Sequence, residues 1–372
     1  MIKVGITGQS GFIGTHLYNS LSLYPEEYLM IQFYDSDFSD NKKLDDFVKD
    51  CDTIVHLAAV NRHSNPQVIY DTNVGLVNRL IESLERTKSK PHLFFSSSTQ
   101  EDQENLYGKS KREGRTLLLN WAEKNNALYT GLIIPNVFGP FGNPYYNSFI
   151  ATFSHQLTHN EVPNIESDGN VKLIYVGELV NEIIKCIRSK ESVPELKIQY
   201  TSEKKVSEIL DLLNTYKNEY FEKGYFPLLR NNFEINLFNT FRSYIDMSNF
   251  FPFELKKNED VRGLFVETIR TGMGGQVSFS TTKPGITRGN HYHTRKIERF
   301  IVIQGEASIE LRKTGTKEAL KFTLSGEVPC FVDMPIWYTH NITNIGKSDL
   351  VTIFWINEFF DPRDPDTYLE IV

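Results

Sequence analysis

The sequence predicts a chain of two domains, an α/β domain built on a parallel sheet followed by an all-β barrel. A strand, a glycine-rich turn and a helix follow one another from Ile2 to Leu21, an order typical of nucleotide-binding α/β domains. Short stretches of alternating polarity run from about residue 260 to residue 356, as in a small barrel. A length of 372 residues also exceeds what one hydrophobic core usually serves.

Composition and charge exclude several classes of protein. The chain has 40% hydrophobic and 23% charged residues, as ordinary globular proteins do. Its net charge is −7 and it has no basic block, which argues against a nucleic-acid partner. Its three cysteines are unevenly spaced and odd in number, which argues against a disulfide framework. No apolar run reaches the roughly 20 residues of a membrane span. We therefore expect a cytoplasmic protein that binds neither nucleic acid nor membrane.

The N-terminal strand and turn are typical of a dinucleotide site. Residues 2–6 are predicted to form a strand, residues 7–14 read Thr-Gly-Gln-Ser-Gly-Phe-Ile-Gly, and a helix follows. Glycines at such a turn let the backbone approach a pyrophosphate, and the helix N-terminus supplies amide donors and a partial positive charge. The predicted cofactor contacts at this turn are Gly8, Gly11, Phe12, Ile13 and Gly14.

An acidic residue, Asp35, follows the second predicted strand, residues 28–34. An acid about 20 positions after the glycines normally bonds the ribose 2′-hydroxyl of NAD and repels a 2′-phosphate. Asp35 is therefore either a ribose ligand that favours NADH or an ordinary loop carboxylate.

The next strand and its loop offer a candidate substrate contact. The stretch Asp-Thr-Ile-Val-His-Leu-Ala-Ala at residues 52–59 is almost wholly apolar, as in a buried parallel strand. Arg62 follows at the carboxyl end of this strand, where ligands bind in open sheets. Its guanidinium group either meets a phosphate or sugar or is simply solvated. Asn73 is predicted to open the next helix, where its side chain would cap the first turn.

A serine, a tyrosine and a lysine form the candidate catalytic set. Residues 92–99 are predicted to form a strand ending in serines, and Tyr107 and Lys111 share one face of the helix that follows. A neighbouring ammonium group favours the phenolate and lowers the pKa of a tyrosine. The pair can therefore protonate a carbonyl oxygen while a nicotinamide delivers hydride to the carbon. We expect Ser98, in preference to Ser97, to hydrogen-bond the same oxygen; the alternative is an ordinary surface Tyr–Lys pair.

The glycine spacing, the His-Leu-Ala-Ala strand end and the Tyr-x-x-x-Lys helix together resemble the extended short-chain dehydrogenases/reductases. The resemblance implies a Rossmann-type sheet, with Leu57, Ala58 and Ala59 beside the cofactor. The Pro-Asn-Val-Phe-Gly-Pro loop at residues 135–140 is similar to the substrate loop of nucleotide-sugar members, which implies that Asn136 contacts the substrate diphosphate region. The following stretch, rich in aromatic and amide groups and containing Asn147, either holds uracil or sugar or packs in the core.

Potential metal ligands lie in the last third of the chain. His291 and His293 alternate in a predicted strand and therefore point to the same face, and Glu298 follows closely. His340 comes from a later segment. Three imidazoles and one carboxylate suit zinc, and also manganese, iron, nickel or copper. The metal either takes part in catalysis or only stabilises the barrel; the remaining alternative is a histidine-rich surface hairpin without metal.

These segments resemble the two signature motifs of the cupin barrels. The first motif, glycine, five residues, His-x-His, four residues, glutamate, six residues, glycine, is met at every fixed position from Gly285 to Gly305. In the second, Pro-x-Gly-x-x-His-x-x-x-Asn, Trp337 stands where glycine is expected, so the barrel mouth is expected to be narrowed or reshaped. The segment Asp-Val-Arg-Gly at residues 260–263 resembles the opening of sugar-epimerase cupins.

The whole chain resembles the CapF-type capsular polysaccharide enzymes, which join a short-chain reductase to a cupin. The resemblance includes Val-Asn-Arg at residues 60–62, the stretch 146–153 and the tail Asn-Glu-Phe-Phe-Asp-Pro at residues 357–362. We place the domain boundary near residue 246, with a reductase domain at 1–246 and a cupin domain at 247–372. We also expect a homodimer that binds one divalent metal, with zinc as the first candidate.

Family membership implies a UDP-linked sugar substrate. The cupin would epimerise C3 of a UDP-2-acetamido-2,6-dideoxy-4-hexulose. The reductase would then reduce the C4 ketone with NADPH to UDP-N-acetyl-6-deoxy-talosamine, on the way to UDP-N-acetyl-L-fucosamine for capsular or O-antigen polysaccharide. NADH stays open because of Asp35. The alternatives are a reductase or epimerase of one activity whose cupin only dimerises the protein, and a non-catalytic module that binds NAD(P) or sugar.

Overall fold

The computed structural model describes residues 1–261 and 263–372, so Arg262 of the Asp-x-Arg-Gly segment lies outside the described residues. The chain divides into two compact units. The first consists of Met1–Thr152 and Glu166–Val206, and the second of Phe153–Ile165 and Ser207–Val372. The units thus group residues 207–246 with the C-terminal half of the chain. The domain assignment with a boundary at 246 stays a prediction.

The first unit contains a six-stranded parallel sheet in the order β2-β1-β3-β4-β5-β8, with a smaller sheet in the order β6-β7-β9. The strands are β1 (Ile2–Thr7), β2 (Tyr28–Ile31), β3 (Thr53–His56), β4 (His92–Ser98), β5 (Tyr129–Ile134), β6 (Asn136–Phe138), β7 (Asn170–Tyr175), β8 (Val193–Lys197) and β9 (Ser202–Lys205). The helices are α1 (Phe12–Ser22), α2 (Asn41–Asp50), α3 (Pro66–Thr87), α4 (Leu106–Asn125), α5 (Phe149–Thr158), which runs on into the second unit, and α6 (Val176–Ser189).

The central strands are buried because helices cover both faces of the sheet. Every residue of β3 and β5 is buried, which explains why their sequences are continuous apolar runs instead of alternating ones. Val4 and Phe94 pack in one core cluster with residues of α1 and α6. Ile54 and Phe95 pack in another with residues of α2, α3 and α4. The predicted Rossmann-type α/β fold is confirmed.

One local prediction in the first unit is wrong. The helix predicted to open at Asn73 begins at Pro66 and is capped by Asn65, whose side chain accepts the Gln67 N–H. A capping asparagine before a proline is a stronger start signal than Asn73. Asn73 lies mid-helix, buried, where its side chain serves tertiary hydrogen bonds.

The second unit contains two five-stranded antiparallel sheets in the orders β10-β18-β15-β20-β13 and β17-β16-β19-β14-β21, together with the hairpin β11-β12. The helices are α7 (Val206–Tyr216), α8 (Asn232–Arg242) and α9 (Met247–Phe250). The strands are β10 (Phe253–Glu254), β11 (Lys257–Asp260), β12 (Gly263–Val266), β13 (Gln276–Thr282), β14 (Thr287–Tyr292), β15 (Glu298–Gln304), β16 (Glu306–Lys313), β17 (Ala319–Ser325), β18 (Cys330–Met334), β19 (Tyr338–Asn344), β20 (Leu350–Ile356) and β21 (Tyr368–Leu369). The two antiparallel sheets, formed by residues 253–369, confirm the predicted β barrel.

A buried ion pair joins the helical part of the second unit to its barrel. Arg299 on β15 makes hydrogen bonds of 2.8 and 2.9 Å to the Asp333 carboxylate on β18. The Tyr220 hydroxyl donates to the same carboxylate, and Arg299 also donates to the carbonyl oxygen of Gly224. These contacts explain why residues 207–246 group with the barrel.

Among the described helices, none combines the length and apolar character that a membrane crossing needs.

Candidate functional site

The first unit holds a cavity of about 460 Å³ at the carboxyl ends of its parallel strands. Ligands bind at this edge in open α/β sheets. The predicted site residues that line this cavity are Gly8, Gly11, Phe12, Ile13, Gly14, Leu57, Ala59, Ser98, Tyr107, Lys111, Asn136 and Asn147. Predicted residues that lie outside its wall are Asp35, Ala58 and Arg62.

Close packing of the protein backbone requires glycines in this turn. Gly8 has φ +71°, and a Cβ atom there would lie 2.8 Å from the backbone of Ala58. A Cβ atom on Gly14 would lie 2.2 Å from the Gly8 carbonyl oxygen. No described side chain caps the N-terminus of α1, and its first residues line the cavity, so the partial positive charge of this helix end lies at the cavity wall. Ala58 thus supports the turn from behind, which explains its place beside the cavity wall.

Asp35 lies next to the same turn. It begins a short 3₁₀ helix just beyond β2, and the Ser10 hydroxyl donates a hydrogen bond of 3.2 Å to its carboxylate. Its side chain is exposed. Ser10 itself lines the cavity, so the Asp35 carboxylate contacts a residue of the predicted cofactor site.

Tyr107 and Lys111 lie side by side on α4, which is capped by Asn105. The Lys111 ammonium group donates a 2.8 Å hydrogen bond to the Ser96 carbonyl oxygen and lies 5.8 Å from the centroid of the Tyr107 ring. Burial lowers the pKa of Lys111 to about 8, an effect that the Glu101 carboxylate partly offsets. The lysine therefore stays charged at neutral pH although it is buried.

The pKa of Tyr107 moves in the direction opposite to the prediction. Burial, with a contribution from Tyr146, raises it to about 12, while a hydrogen bond with Ser98 acts in the lowering direction. The prediction considered the charge of Lys111 but not the removal of the phenol from water. A phenol with this pKa is protonated at neutral pH, which is the form that a proton donor needs.

The structure distinguishes the two candidate serines. The Ser97 hydroxyl donates to the buried Glu101 carboxylate, which also accepts from the Arg115 guanidinium at 2.9 Å. The Ser98 hydroxyl accepts the Gln100 N–H and lies beside the Tyr107 phenol. Ser97 is therefore engaged in a buried charged cluster, whereas Ser98 lies beside the Tyr107 phenol.

Asn73 links α4, the helix that bears Tyr107, to the loop after β3. Its side chain accepts the Val60 N–H at 2.7 Å and donates to the Val60 carbonyl oxygen at 3.1 Å. It also donates to the Ser110 hydroxyl on α4. These three bonds hold the loop and the helix that bears Tyr107 at a fixed separation.

The loop of residues 139–148 forms one wall of the cavity and is held by the loop after β3. Arg62 donates to the carbonyl oxygens of Tyr145 at 2.8 Å and Tyr146 at 3.3 Å, and the Asn61 N–H donates to the Tyr146 hydroxyl. Phe141 and Tyr145 have φ of +68° and +58°, conformations that non-glycine residues adopt only where the surroundings hold them. Arg62 thus contacts protein carbonyl groups.

Sequence reasoning missed several polar residues of this wall. Asn61 follows β3 in the loop where ligands are expected, so the position rule that singled out Arg62 points to it as well. Asn143, Tyr146 and Ser148 lie in the stretch expected either to hold uracil or sugar or to pack in the core, but which of its residues reach the cavity depends on how the loop 139–148 folds back on the sheet. Besides Ser97, the cavity-lining polar residues that were not predicted individually are Ser10, Asn61, Ser96, Gln100, Asn143, Tyr146 and Ser148.

The second unit brings the four predicted metal ligands together. One potential ligand atom from each of His291, His293, Glu298 and His340 lies within 4.8 Å of the others. Antiparallel pairing of β14 with β19 places His291 opposite His340. The Nε2 atoms of His293 and His340 each lie 3.2 Å from Oε2 of Glu298.

Hydrogen bonds to backbone carbonyl oxygens fix which imidazole nitrogen of His293 and His340 faces the cluster. Nδ1 of His293 bonds the carbonyl oxygen of Asp366, and Nδ1 of His340 bonds that of Tyr338 at 3.0 Å. A carbonyl oxygen only accepts, so each Nδ1 must donate, and each neutral ring turns the Nε2 lone pair toward the cluster.

The electrostatics of the cluster favour a bound cation. Burial and the neighbouring imidazoles lower the pKa of His291 to about 4, so its ring is neutral at pH 7. Burial alone would raise the pKa of Glu298, but His293 and His340 lower it. Burial acts to lower the pKa of His293, but the contact with Glu298 outweighs it and raises that pKa. Despite the short distances, the facing atoms of His293, Glu298 and His340 make no hydrogen bond to any described residue. These buried lone pairs fit a divalent cation.

Trp337 adopts the backbone conformation of the glycine that it replaces. Its φ is +61°, in the left-handed region where glycine is favoured. Its N–H donates a 2.7 Å hydrogen bond to the His293 carbonyl oxygen, and its ring stacks on Tyr292 at 5.8 Å. The turn before His340 is therefore kept at the cost of backbone strain.

Comparisons with protein families match both units. The family described as NAD dependent epimerase/dehydratase matches residues 4–198, about half of the chain. The family described as polysaccharide biosynthesis C-terminal domain matches residues 258–368.

Comparisons with single proteins span the whole chain. The crystal structure of the capsular polysaccharide assembling protein CapF from Staphylococcus aureus matches with 36% identity and a TM-score of 0.64, covering 100% of both chains. A Pseudomonas aeruginosa protein named UDP-2-acetamido-2,6-beta-L-arabino-hexul-4-ose reductase is 31% identical over 370 residues, 99% of this chain and 98% of its own. The spore coat polysaccharide biosynthesis protein SpsL of Bacillus subtilis is 27% identical over 123 residues, 30% of this chain and 82% of SpsL.

Proposed function

This chain belongs to the CapF-type family, in which a reductase of the NAD dependent epimerase/dehydratase family is joined to a cupin barrel, and from this premise we propose that it is a bifunctional nucleotide-sugar enzyme. The first unit reduces the C4 ketone of a UDP-2-acetamido-2,6-dideoxy-4-hexulose with NADPH. The second unit epimerises C3 of the ketosugar before reduction. The product is UDP-N-acetyl-6-deoxy-talosamine, for capsular or O-antigen polysaccharide. The observation that carries this proposal is the placement of Ser98, Tyr107 and Lys111 in one cavity with the glycine turn.

The reduction needs a proton at the ketone oxygen. A reduced nicotinamide in this cavity supplies the hydride to C4. The Tyr107 phenol, protonated at neutral pH, donates its proton to O4, and Ser98 holds the same oxygen by a hydrogen bond. The charged Lys111 then stabilises the phenolate until a solvent proton restores the phenol. The ketone becomes an alcohol and the dinucleotide is oxidised.

The polar wall of the cavity supports a nucleotide-sugar substrate. Asn136 and Asn147 present amide groups to the cavity and are the proposed contacts of the diphosphate and sugar. Arg62 acts on the substrate indirectly, because its guanidinium bonds the carbonyl oxygens of the loop that bears Asn147. The Pseudomonas relative, by its name, reduces a 4-ketosugar linked to UDP.

Two observations favour different dinucleotides. NADPH follows from the family resemblance, whereas the carboxylate of Asp35 beside the glycine turn favours the ribose hydroxyl of NADH. We propose NADPH as the working cofactor. Initial rates with each dinucleotide at equal concentration decide the matter, and a preference for NADH would overturn this choice.

The epimerisation depends on the ketone at C4. A ketone acidifies the neighbouring C3 hydrogen, so a base can remove it while positive charge or hydrogen bonds hold the enolate oxygen. A proton returned to the other face of C3 completes the inversion. The proposed ligands His291, His293, Glu298 and His340 would hold a divalent cation, zinc as first candidate. Such a cation supplies positive charge and either acts on the enolate or braces the barrel.

A second candidate function is a reductase of one activity with a barrel that does no chemistry. The name of the Pseudomonas relative, which mentions reduction only, favours it. Oxidation of NADPH on addition of a UDP-4-keto-6-deoxy sugar tests the reductase in both cases. Failure to oxidise either dinucleotide would contradict the reductase assignment.

A further inference from the structure

The C-terminal segment is built onto β14, the strand that carries the proposed metal ligand His291 and ends just before His293. Residues 364–371, here named the C-terminal latch, add β21 to the edge of β14. Leu369 pairs with His291 and Tyr368 with Tyr292, and the Glu370 N–H donates to the Asn290 carbonyl oxygen at 3.0 Å. The latch therefore lies along the strand that leads into the cluster.

Asp366 of the latch also holds the loop between two ligands. Its carboxylate accepts the N–H groups of Thr294 at 3.1 Å, Arg295 at 3.0 Å and Lys296 at 3.1 Å, and the Thr294 hydroxyl at 2.6 Å. Three successive amide groups around one anion form a cradle that fixes the backbone of this loop. The loop joins His293 to Glu298, so its conformation sets their separation.

The same residue sets the tautomer of one ligand. The Asp366 carbonyl oxygen accepts from Nδ1 of His293, across 73 positions of sequence. The corresponding partner of His340 is only two positions away, in Tyr338. The orientation of His293 therefore depends on a distant segment of the chain.

Further contacts tie the latch to the loop from the side. Arg295 makes bonds of 2.8 and 3.1 Å to the Asp364 carboxylate, and the buried Lys296 donates to the Pro365 carbonyl oxygen at 2.7 Å. Asp366 itself is 3% exposed and has φ +42°, a left-handed conformation that this packing must maintain. An aspartate would not be held in this conformation without a compensating set of bonds.

We propose that the C-terminal latch maintains the metal-binding geometry of the second unit and that Asp366 is its positioning residue. This inference rests on the proposed metal site. Loss of the Asp366 carboxylate frees the 294–296 loop and loosens His293 and Glu298, so the site binds its cation more weakly. Mutation of residues that hold the direct ligands in place typically lowers metal affinity about 10- to 100-fold.

The test compares zinc affinity in full-length variants, by competition with a chromophoric chelator. Asp366→Asn removes the charge and an acceptor, and asparagine tolerates the left-handed backbone. Asp361→Asn is the matched control, because that carboxylate, in the same C-terminal region, bonds Arg363 and not the loop. We expect zinc affinity to fall about 10- to 100-fold in Asp366→Asn and to stay unchanged in the control.

The outcomes separate this inference from the metal site itself. A wild-type protein that takes up no zinc contradicts the metal site and the latch together. Zinc binding that is equal in wild type and Asp366→Asn contradicts the latch alone. If near-ultraviolet circular dichroism shows that Asp366→Asn does not fold, Thr294→Val decides, because it removes only the hydroxyl bond to Asp366. Weaker zinc binding in that variant supports the latch, and unchanged binding overturns it.

Discussion

The ammonium group of Lys111 donates a 2.8 Å hydrogen bond to the carbonyl oxygen of Ser96, two residues before Ser98 on the same strand. The bond anchors the lysine of α4 to the end of β4. It thus fixes the spacing between a charged group, the Tyr107 phenol and the serine that faces it. The predictions for the first unit follow from this arrangement.

Replacing the phenol tests its role as proton donor. Tyr107→Phe keeps the ring but leaves no proton for O4, so we expect NADPH-dependent reduction to fall about 10²- to 10⁴-fold. Exchange of the C3 hydrogen with solvent should persist, because the proposed epimerisation belongs to the second unit. Steady-state NADPH oxidation measures the first effect, with Tyr18→Phe as a control outside the cavity. An unchanged rate in Tyr107→Phe would remove this residue from the mechanism.

The two serines of β4 should differ in effect. Ser98→Ala removes a hydroxyl beside Tyr107 and is expected to lower kcat about 10-fold or more with little loss of stability. Ser97→Ala leaves the buried Glu101 short of one donor, which should lower stability by about 1–3 kcal/mol. Denaturant unfolding and kcat, measured on both variants, check this division. The reverse pattern would assign the catalytic hydroxyl to Ser97.

The reductase should lose activity on the alkaline side. The folded-state pKa of Lys111 is lowered from its ordinary value to about 8, so the ammonium form is present below that pH and disappears above it. Two groups near Lys111 stay neutral there, since the pKa of His56 is lowered to about 3 and that of Tyr107 is raised to about 12, while the Glu101 carboxylate favours the ammonium form. We therefore expect kcat/KM for reduction to decline as pH rises through about 8.

A variant of Glu101 sharpens this pH test. The Glu101 carboxylate favours the ammonium form, so Glu101→Gln should move the alkaline decline to lower pH. Glu195→Gln is the control, because Glu195 pairs with the same Arg115 at 3.5 Å but is largely exposed. A decline at the same pH in both variants contradicts the proposed influence of Glu101 on Lys111.

Arg62 should affect the substrate and not the dinucleotide. A lysine cannot bond two carbonyl groups in the planar geometry of a guanidinium group, so Arg62→Lys loosens the loop that bears Tyr146 and Asn147. We expect KM for the UDP-sugar to rise about 10-fold while KM for NADPH stays constant. Arg86→Lys, which affects a surface pair with Asp45, serves as control. An equal rise in both KM values would point to a general loss of structure.

Removal of metal should destabilise the barrel. Without a cation, the buried Nε2 atoms of His293 and His340 face Oε2 of Glu298 at 3.2 Å and make no hydrogen bond to any described residue. We expect chelation to lower the unfolding midpoint of the second unit by about 5–10 °C and added zinc to restore it. Scanning calorimetry of treated and reloaded protein measures the shift. Identical curves would show that the cluster binds no cation under these conditions.

Local sequence patterns predicted much of the site, since its key groups lie within a few residues of each other. Tyr107 and Lys111 are one helical turn apart, and His291 and His293 are two positions apart at the end of β14. The turn at Trp337 shows the limit of such patterns. The residue departs from the cupin motif, yet its φ of +61° keeps the conformation that the motif needs.

The remaining features depend on contacts between distant segments. Arg62 meets the carbonyl of Tyr145 across 83 positions, and Asp366 meets His293 across 73. Hydrophobic periodicity shows which face of an element is buried, but not which carbonyl group a side chain will reach. The same reason explains why Asn73 was assigned to a helix cap. Its partners Val60 and Ser110 become neighbours only in the folded sheet.

Incorporation of solvent deuterium at C3 tests the central claim most directly. The enzyme is incubated with a UDP-2-acetamido-2,6-dideoxy-4-hexulose in heavy water, with and without NADPH, and the sugar is analysed by mass spectrometry and NMR. A bifunctional enzyme places deuterium at C3 without NADPH and, with NADPH, yields the C4 alcohol carrying deuterium at C3. Reduction with no deuterium at C3 under either condition would contradict an epimerase in the second unit.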